Sequence, residues 1–240
     1  MTTRTIEPAL GIPAWGLLVA LMTTALLVAV ALPAVAADDA FPVTVVDDEG
    51  TEVTVEAYPE RIISLSPANT ETVYALGAGD RLVGGTDYDD YPPEAAGVTD
   101  VATFTGVIME QVVALEPDLV LAAGNGLTKP GEIATMRELG YPVVVLYAPD
   151  VDTVMADIEI IGATVGAAEE ARAMTAQLNA QMEVVAAEAA AAGVTPRVFY
   201  ELDATSEIFA PAPDSFVADM IVRAGGEPIT TGDPALWSIP

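Results

Sequence analysis

Residues 41–56, FPVTVVDDEGTEVTVE, alternate apolar and polar positions in two Val/Thr runs separated by Asp48-Glu49-Gly50. A period of two around a Gly-containing turn predicts a β-hairpin. The pattern then becomes a short continuous apolar run, Ile62, Ile63 and Leu65, of the kind that fits a buried parallel strand. Ser66-Pro67 follows as a helix start. Ser66 serves as N-cap and Pro67 takes the first helical position, where its missing N–H is not needed. A residue before proline is held extended, as an N-cap requires. Val73 and Leu76 supply a buried stripe, and Gly77 or Gly79 can take the left-handed conformation that ends the helix. A helix N-terminus therefore points outward from a strand's carboxyl end, where open α/β sheets bind their ligands.

The same grammar continues. Strands are predicted over 82–85, 98–103, 119–123 and 143–146, helices over 108–115 and 130–139, a loop over 88–93 and a flexible turn at Gly124-Asn125-Gly126. Strands alternating with helices on short connections predict a parallel sheet with helices on both faces, here over residues 41–150. From Asp150 the strand pattern stops. Val151, Val154, Ile158, Ile161 and Val165 mark one helix face, Gly166 breaks it, and a second helix runs over 168–192 to Gly193. That helix spans about 37 Å at 1.5 Å per residue, longer than a crossover needs, and suits a strut between two lobes. Within 194–240 the pattern predicts a strand over 197–202 and a helix over 214–224, with Phe216, Met220 and Ile221 on its inner face. This is too little to bury a core, so a truncated C-terminal α/β lobe is expected.

Composition narrows the setting. Residues 14–32 are almost wholly apolar and run into Ala34-Val35-Ala36, so residues 1–36 read as a secretory signal peptide cleaved near Ala36; a retained anchor is the alternative. The formal charge is −28, with one lysine, Lys129, seven arginines and no histidine. Nucleic-acid binding is excluded, because too few cations exist to neutralise phosphates. The sequence has no cysteine, so it can carry neither a lipobox thiol nor disulfides or thiolate metal sites. Without His and Cys the common nucleophilic pairs cannot form. Asp87, Asp89 and Asp90 lack the ligand order of an EF-hand and are expected to form a solvated acidic loop. Gly77-x-Gly79 with Gly84-Gly85 follows a helix instead of opening one, so it is no dinucleotide loop.

The segments RIISLSPANTETVYALGAGDRLVG, YDDYPPEA and VATFTGVIMEQVVALEPDLVLA, in this order and spacing, resemble the vitamin B12-binding periplasmic protein family. These are the helical-backbone substrate-binding proteins of ABC importers for cobalamin, ferric siderophores and haem. The resemblance implies an α/β protein of two Rossmann-like lobes joined by one long helix, with the ligand between the lobes. It implies that Ser66, Pro67, Ala68 and Asn69 form a cleft floor, flanked by Tyr88, Tyr91 and the Phe104-Thr105-Gly106 turn. Asn125 would line the next strand end, and Trp237 would pack on the ligand from the second lobe. Glu110 would dock to the permease, with a second docking glutamate falling beyond Pro240. The implied protein is an exported monomer without a resident cofactor or metal, delivering a corrinoid or an iron chelate to ABC permease subunits.

Taken without the resemblance, the same residues have plainer readings. Tyr88 and Tyr91 are loop residues packing on the first lobe, and Phe104 is ordinary core. Asn69 is a helix cap, Asn125 a left-handed turn residue, Glu110 a favourable first-turn charge and Trp237 a hydrophobic anchor. From other classes, an α/β enzyme such as a metal-dependent hydrolase or chelatase-like protein, or a non-binding fragment, stays open. An enzyme would need titratable groups converging at the strand ends.

Overall fold

A computed structural model describes residues 41–205 and 208–230. The expected signal peptide and Trp237 lie outside the described residues. Strands β1 (Val43–Val46) and β2 (Glu52–Val55) form the antiparallel hairpin, with Val43 opposite Val55. The alternation works as anticipated: Val53 and Val55 are buried while Glu52 and Thr54 face solvent.

The main sheet comprises β3 (Ile62–Ser64), β4 (Leu82–Thr86), β5 (Thr99–Thr103), β6 (Gly106–Val107), β7 (Leu119–Ala123) and β8 (Val143–Leu146), in the spatial order β6-β5-β4-β3-β7-β8. Every neighbouring pair is parallel except β5–β6. The sheet is thus mixed, a correction to the all-parallel expectation. β6 is too short for periodicity to reveal, and it forms because the chain doubles back through Phe104-Thr105.

Helices cover both faces. Against one lie α1 (Pro67–Ala75), α4 (Val151–Thr164) and the start of α5 (Ala168–Ala192), burying Val73, Ile161, Val165 and Ala171 with Ile62, Leu119 and Leu121. Against the other lie α2 (Met109–Leu115) and α3 (Pro130–Glu138), where Val112, Ile133 and Met136 meet Ile63, Val120 and Val145. β7 and β8 are buried along their whole length, which is why both read as continuous apolar runs.

Edge strand β8 would present unpaired backbone groups, and the hairpin turn covers them. The Asp48 N–H donates to the Val145 carbonyl at 3.0 Å. Asp47 Oδ2 accepts from Val145 N at 3.2 Å and from Arg137 Nη2 at 2.9 Å, and Asp48 Oδ2 accepts from Tyr147 N at 2.5 Å. The acids that signal a turn in the sequence also seal the sheet.

After α5, which ends at the left-handed Gly193 (φ 68°), a two-stranded parallel pair joins β9 (Arg197–Val198) to β10 (Glu227–Pro228), with α6 (Phe216–Arg223) between them in sequence. Here the sequence reading needs two corrections. The strand foreseen over 197–202 stops at Val198: Phe199, Tyr200 and Leu202 are exposed, and pairing resumes only as a bridge between Asp203 and Phe209. In α6 the deeply buried residue is Ala218, whereas Met220 is half exposed.

Candidate ligand-binding site

β3 runs on one side to β4 and β5, and β7 runs on the other to β8, so the chain reverses direction across the sheet between β3 and β7. The crevice beyond the carboxyl ends of such a pair is where open α/β sheets hold ligands. Two cavities open there, and both are lined by Ser66 from the end of β3 and Ala123 from the end of β7. One measures about 340 Å³ and the other about 280 Å³. Each is near the lower end of the roughly 300–1,000 Å³ typical of small-molecule sites.

Local chemistry explains how the floor is set. Ser66 is extended (φ −157°, ψ 149°) and its hydroxyl accepts the Asn69 N–H at 3.3 Å, with Pro67 opening α1. Ser66 is therefore the cap, and Asn69 is not. Asn69 is buried instead, and its Nδ2 donates to the Ala122 carbonyl at 3.4 Å, tying α1 to the end of β7. Gly77 (φ 77°) supplies the left-handed stop.

The larger cavity collects residues that lie far apart in the chain. Ser66 and Pro67 line it with Tyr88 and with Phe104 and Gly106 of the β5–β6 turn. Phe104 is 88% exposed and Tyr88 is 58% exposed, a poor fit to core packing and a good supply of apolar wall. Phe104 is thus not ordinary core. Ala68 and Asn69 line the smaller cavity. Tyr91 is exposed in the same loop as Tyr88 but does not line either cavity. Thr105 lines neither cavity, although its carbonyl accepts from Lys129 Nζ at 2.5 Å. Asn125 is exposed and left-handed (φ 54°), the conformation its plainer reading required, and the cavity walls at that turn are Gly126 and Leu127. Glu110 is exposed in the first turn of α2.

Sequence reasoning missed several groups. Lys129 and Glu132 line the larger cavity and pair at 3.2 Å, so their charges largely cancel there. The lone lysine of the chain, directly before Pro130 at a helix start, was the signal available. The acidic loop is also not simply solvated. Asp87 and Asp90 are exposed, but Asp89 is buried: Oδ2 accepts from Thr70 Oγ1 at 2.7 Å and Thr86 N at 3.0 Å, and Oδ1 accepts from Thr86 Oγ1 at 2.6 Å. A Cβ on Gly85 would fall 2.5 Å from Asp89 Oδ2, so the second glycine of Gly84-Gly85 makes room for this anchor. Asp89 holds the Tyr88 loop against α1.

Arg61 and Arg81 are committed to the fold. Arg61 Nε donates to the Leu115 carbonyl at 2.7 Å. Arg81 donates to the Pro59 and Val165 carbonyls at 2.6 and 2.7 Å and lies over the Tyr58 ring. A wider depression of about 740 Å³ lies at the opposite, amino-terminal ends of β7 and β8, beside the hairpin. Its Arg137 is paired with Asp47, and its Asp118 accepts the N–H groups of Glu60 and Arg61, so its polar groups serve the fold. Among the described residues no group of three or more acidic or histidine side chains could hold a metal ion.

Residues 62–239 match the periplasmic binding protein family, and the chain belongs to it. That family is one of binding proteins and not of enzymes. The chain is 32% identical over 187 residues to an uncharacterised ABC transporter substrate-binding lipoprotein of Bacillus subtilis, covering 76% of this chain and 59% of that protein. It is 40% identical over 104 residues to the vitamin B12-binding protein of Vibrio cholerae, covering 42% of this chain and 37% of that one. The crystal structure of the periplasmic vitamin B12 binding protein of Vibrio cholerae superposes with a TM-score of 0.65 at 27% identity, covering 76% of this chain and 70% of that one. The apo periplasmic heme-binding protein of Roseiflexus sp. RS-1 gives 0.62 at 26% identity, covering 70% and 65%. The chain thus spans 59% and 37% of the lengths of the two sequence relatives.

Proposed function

We propose that this chain is the extracytoplasmic ligand-binding component of an ABC importer, exported with cleavage near Ala36, and that its leading ligand is a corrinoid. The observation that carries this reading is convergence. Ser66 and Pro67, Tyr88, and Phe104 with Gly106, from three separated segments, line one cavity at the point where the sheet reverses. A large, flat, mostly apolar macrocycle needs aromatic walls with a few polar groups for orientation, and Tyr88 and Phe104 are already exposed there. The similarity to vitamin B12-binding proteins points the same way.

The charge of the site favours a corrinoid over anionic chelates. A ferric siderophore or haem carries carboxylate or other anionic oxygen groups. The one cation lining the larger cavity, Lys129, is neutralised by Glu132, and Arg61 and Arg81 are spent on backbone carbonyls. A second reading, haem or a ferric siderophore, draws on the exposed phenols of Tyr88 and Tyr91, since tyrosine can ligate iron where histidine is lacking. Delivery would pass through permease subunits, with Glu110 contributing to docking. Purified protein titrated calorimetrically with cyanocobalamin, haem and a ferric hydroxamate should bind cyanocobalamin tightest, and Phe104→Ala should weaken that binding about tenfold, by loss of one aromatic wall. Tighter binding of haem or the siderophore would transfer the assignment to the second reading.

A further inference from the structure

Asp157 lies buried on α4, next to Ile158 of its apolar face. It is 9% exposed, and its Oδ1 has no hydrogen-bond partner. An unpaired buried acceptor costs free energy that an apolar residue would not. The neighbouring acid is Asp48 of the hairpin turn; after burial, its charge and a side-chain hydrogen bond to it both raise the proton affinity of Asp157. The Tyr147 N–H close by is already taken by Asp48. The surrounding elements offer Asn69 and Thr72 from α1 and Phe216 from α6, and the ionisable residues lining this space are Tyr147 and Asp157 themselves. The space is the 280 Å³ cavity that adjoins the larger one at Ser66, Ala123 and Leu127.

We propose that this smaller cavity is an annex of the binding cleft that accepts a neutral hydrogen-bonding arm of the ligand, a carboxamide or hydroxyl, on Asp157, and rejects carboxylate arms. The inference rests on the reading of the cleft as a ligand site. Protonated Asp157 gives its proton to the hydrogen bond with Asp48 and keeps Oδ1 as a free acceptor for the N–H of a carboxamide or the O–H of a hydroxyl. A carboxylate arm would meet Asp157, itself next to the Asp48 charge, with no cation lining the cavity. Burial and the Asp48 carboxylate push Asp157 up to about 7, so the protonated form is available near neutrality. Asp157 is then a specificity determinant, separating amide-rimmed macrocycles from those rimmed with carboxylates.

The test compares the wild-type protein with Asp157→Asn, which keeps the shape and removes the ionisable group. Cyanocobalamin, its isomeric side-chain monocarboxylic acids and haem are titrated into each, with thermal melts confirming folding. For at least one isomer the wild type should bind the acid about tenfold more weakly than cyanocobalamin, and Asp157→Asn should reduce that gap to about threefold or less. No discrimination in the wild type, or discrimination unchanged in Asp157→Asn for every isomer, overturns the annex while leaving the corrinoid reading in place. If the wild type binds haem and not cyanocobalamin, the corrinoid reading fails separately. The annex then survives only if Asp157→Asn tightens haem binding about tenfold. Absence of binding by either variant to any probe overturns both.

Discussion

Two buried aspartates show how differently the same residue type can be used. Asp89 receives three hydrogen bonds, from Thr70 and from the backbone and side chain of Thr86, and so locks a loop. Asp157 keeps an unpartnered oxygen beside a second acid, so its charge opposes folding. The consequence is a definite pH dependence. Unperturbed, this carboxyl ionises at 3.8; in the fold it holds its proton to about 7, because of burial first and Asp48 second. Between those values the folded state binds more protons than the unfolded chain, so this group's contribution is fully present below pH 3.8 and is lost as pH rises to about 7. Asp157→Asn should therefore melt close to wild type near pH 4, gain steadily on it up to pH 7, and hold a constant lead above that. Thermal unfolding followed across this range checks it, and parallel melting curves for the two proteins would contradict the assignment. Neither acid's role was legible beforehand. Asp89 sits among Asp87 and Asp90 in a run that reads as solvated, and Asp157 occupies a helix position that only tertiary neighbours define.

At the scale of elements, what is encoded locally was legible and what depends on a distant partner was not. Ser66-Pro67 specifies its own helix start, because the proline restricts Ser66 to the extended conformation in which its hydroxyl reaches the Asn69 N–H. Gly77, Gly166 and Gly193 are left-handed, each following the helix that it was expected to end. β6 and the end of β9 had no such local mark. Two residues cannot show a period, and Phe199, Tyr200 and Leu202 have strand propensity yet stay exposed. The larger cavity was legible only as separate residues; Lys129 and Glu132 enter it because α3 begins beside the β5–β6 turn. The cap yields a prediction of its own. Ser66→Ala should lower unfolding free energy by about 1 kcal/mol in urea titrations, and Ser66→Asp should restore most of that loss. Equal losses for both would mean that the hydroxyl does not carry the helix start.

For the molecule as a whole, the net charge of −28 and the placement of acids bear on partners more than on the ligand. In the two cavities at the strands' carboxyl ends the lining acids are accounted for, Glu132 paired with Lys129 and Asp157 buried beside Asp48, whereas Glu110 stands exposed in the first turn of α2. A first-turn glutamate already gains from the helix dipole, so its exposure alone does not require a partner. The proposed importer role supplies one, a cationic patch on a permease, and the two explanations diverge experimentally. If Glu110 only stabilises α2, Glu110→Ala should reduce the melting temperature slightly and leave transport unaffected once protein is saturating. If it docks, Glu110→Ala should leave the dissociation constant for cyanocobalamin unchanged while weakening the half-saturating concentration for stimulation of the cognate importer. The expected shift is about two- to fivefold, the size of an exposed ion pair of up to about 1 kcal/mol, and it should shrink as salt is raised. Reconstituted vesicles supplied with increasing binding protein at low and high ionic strength separate the cases, because a purely structural role has no reason to depend on salt in that assay.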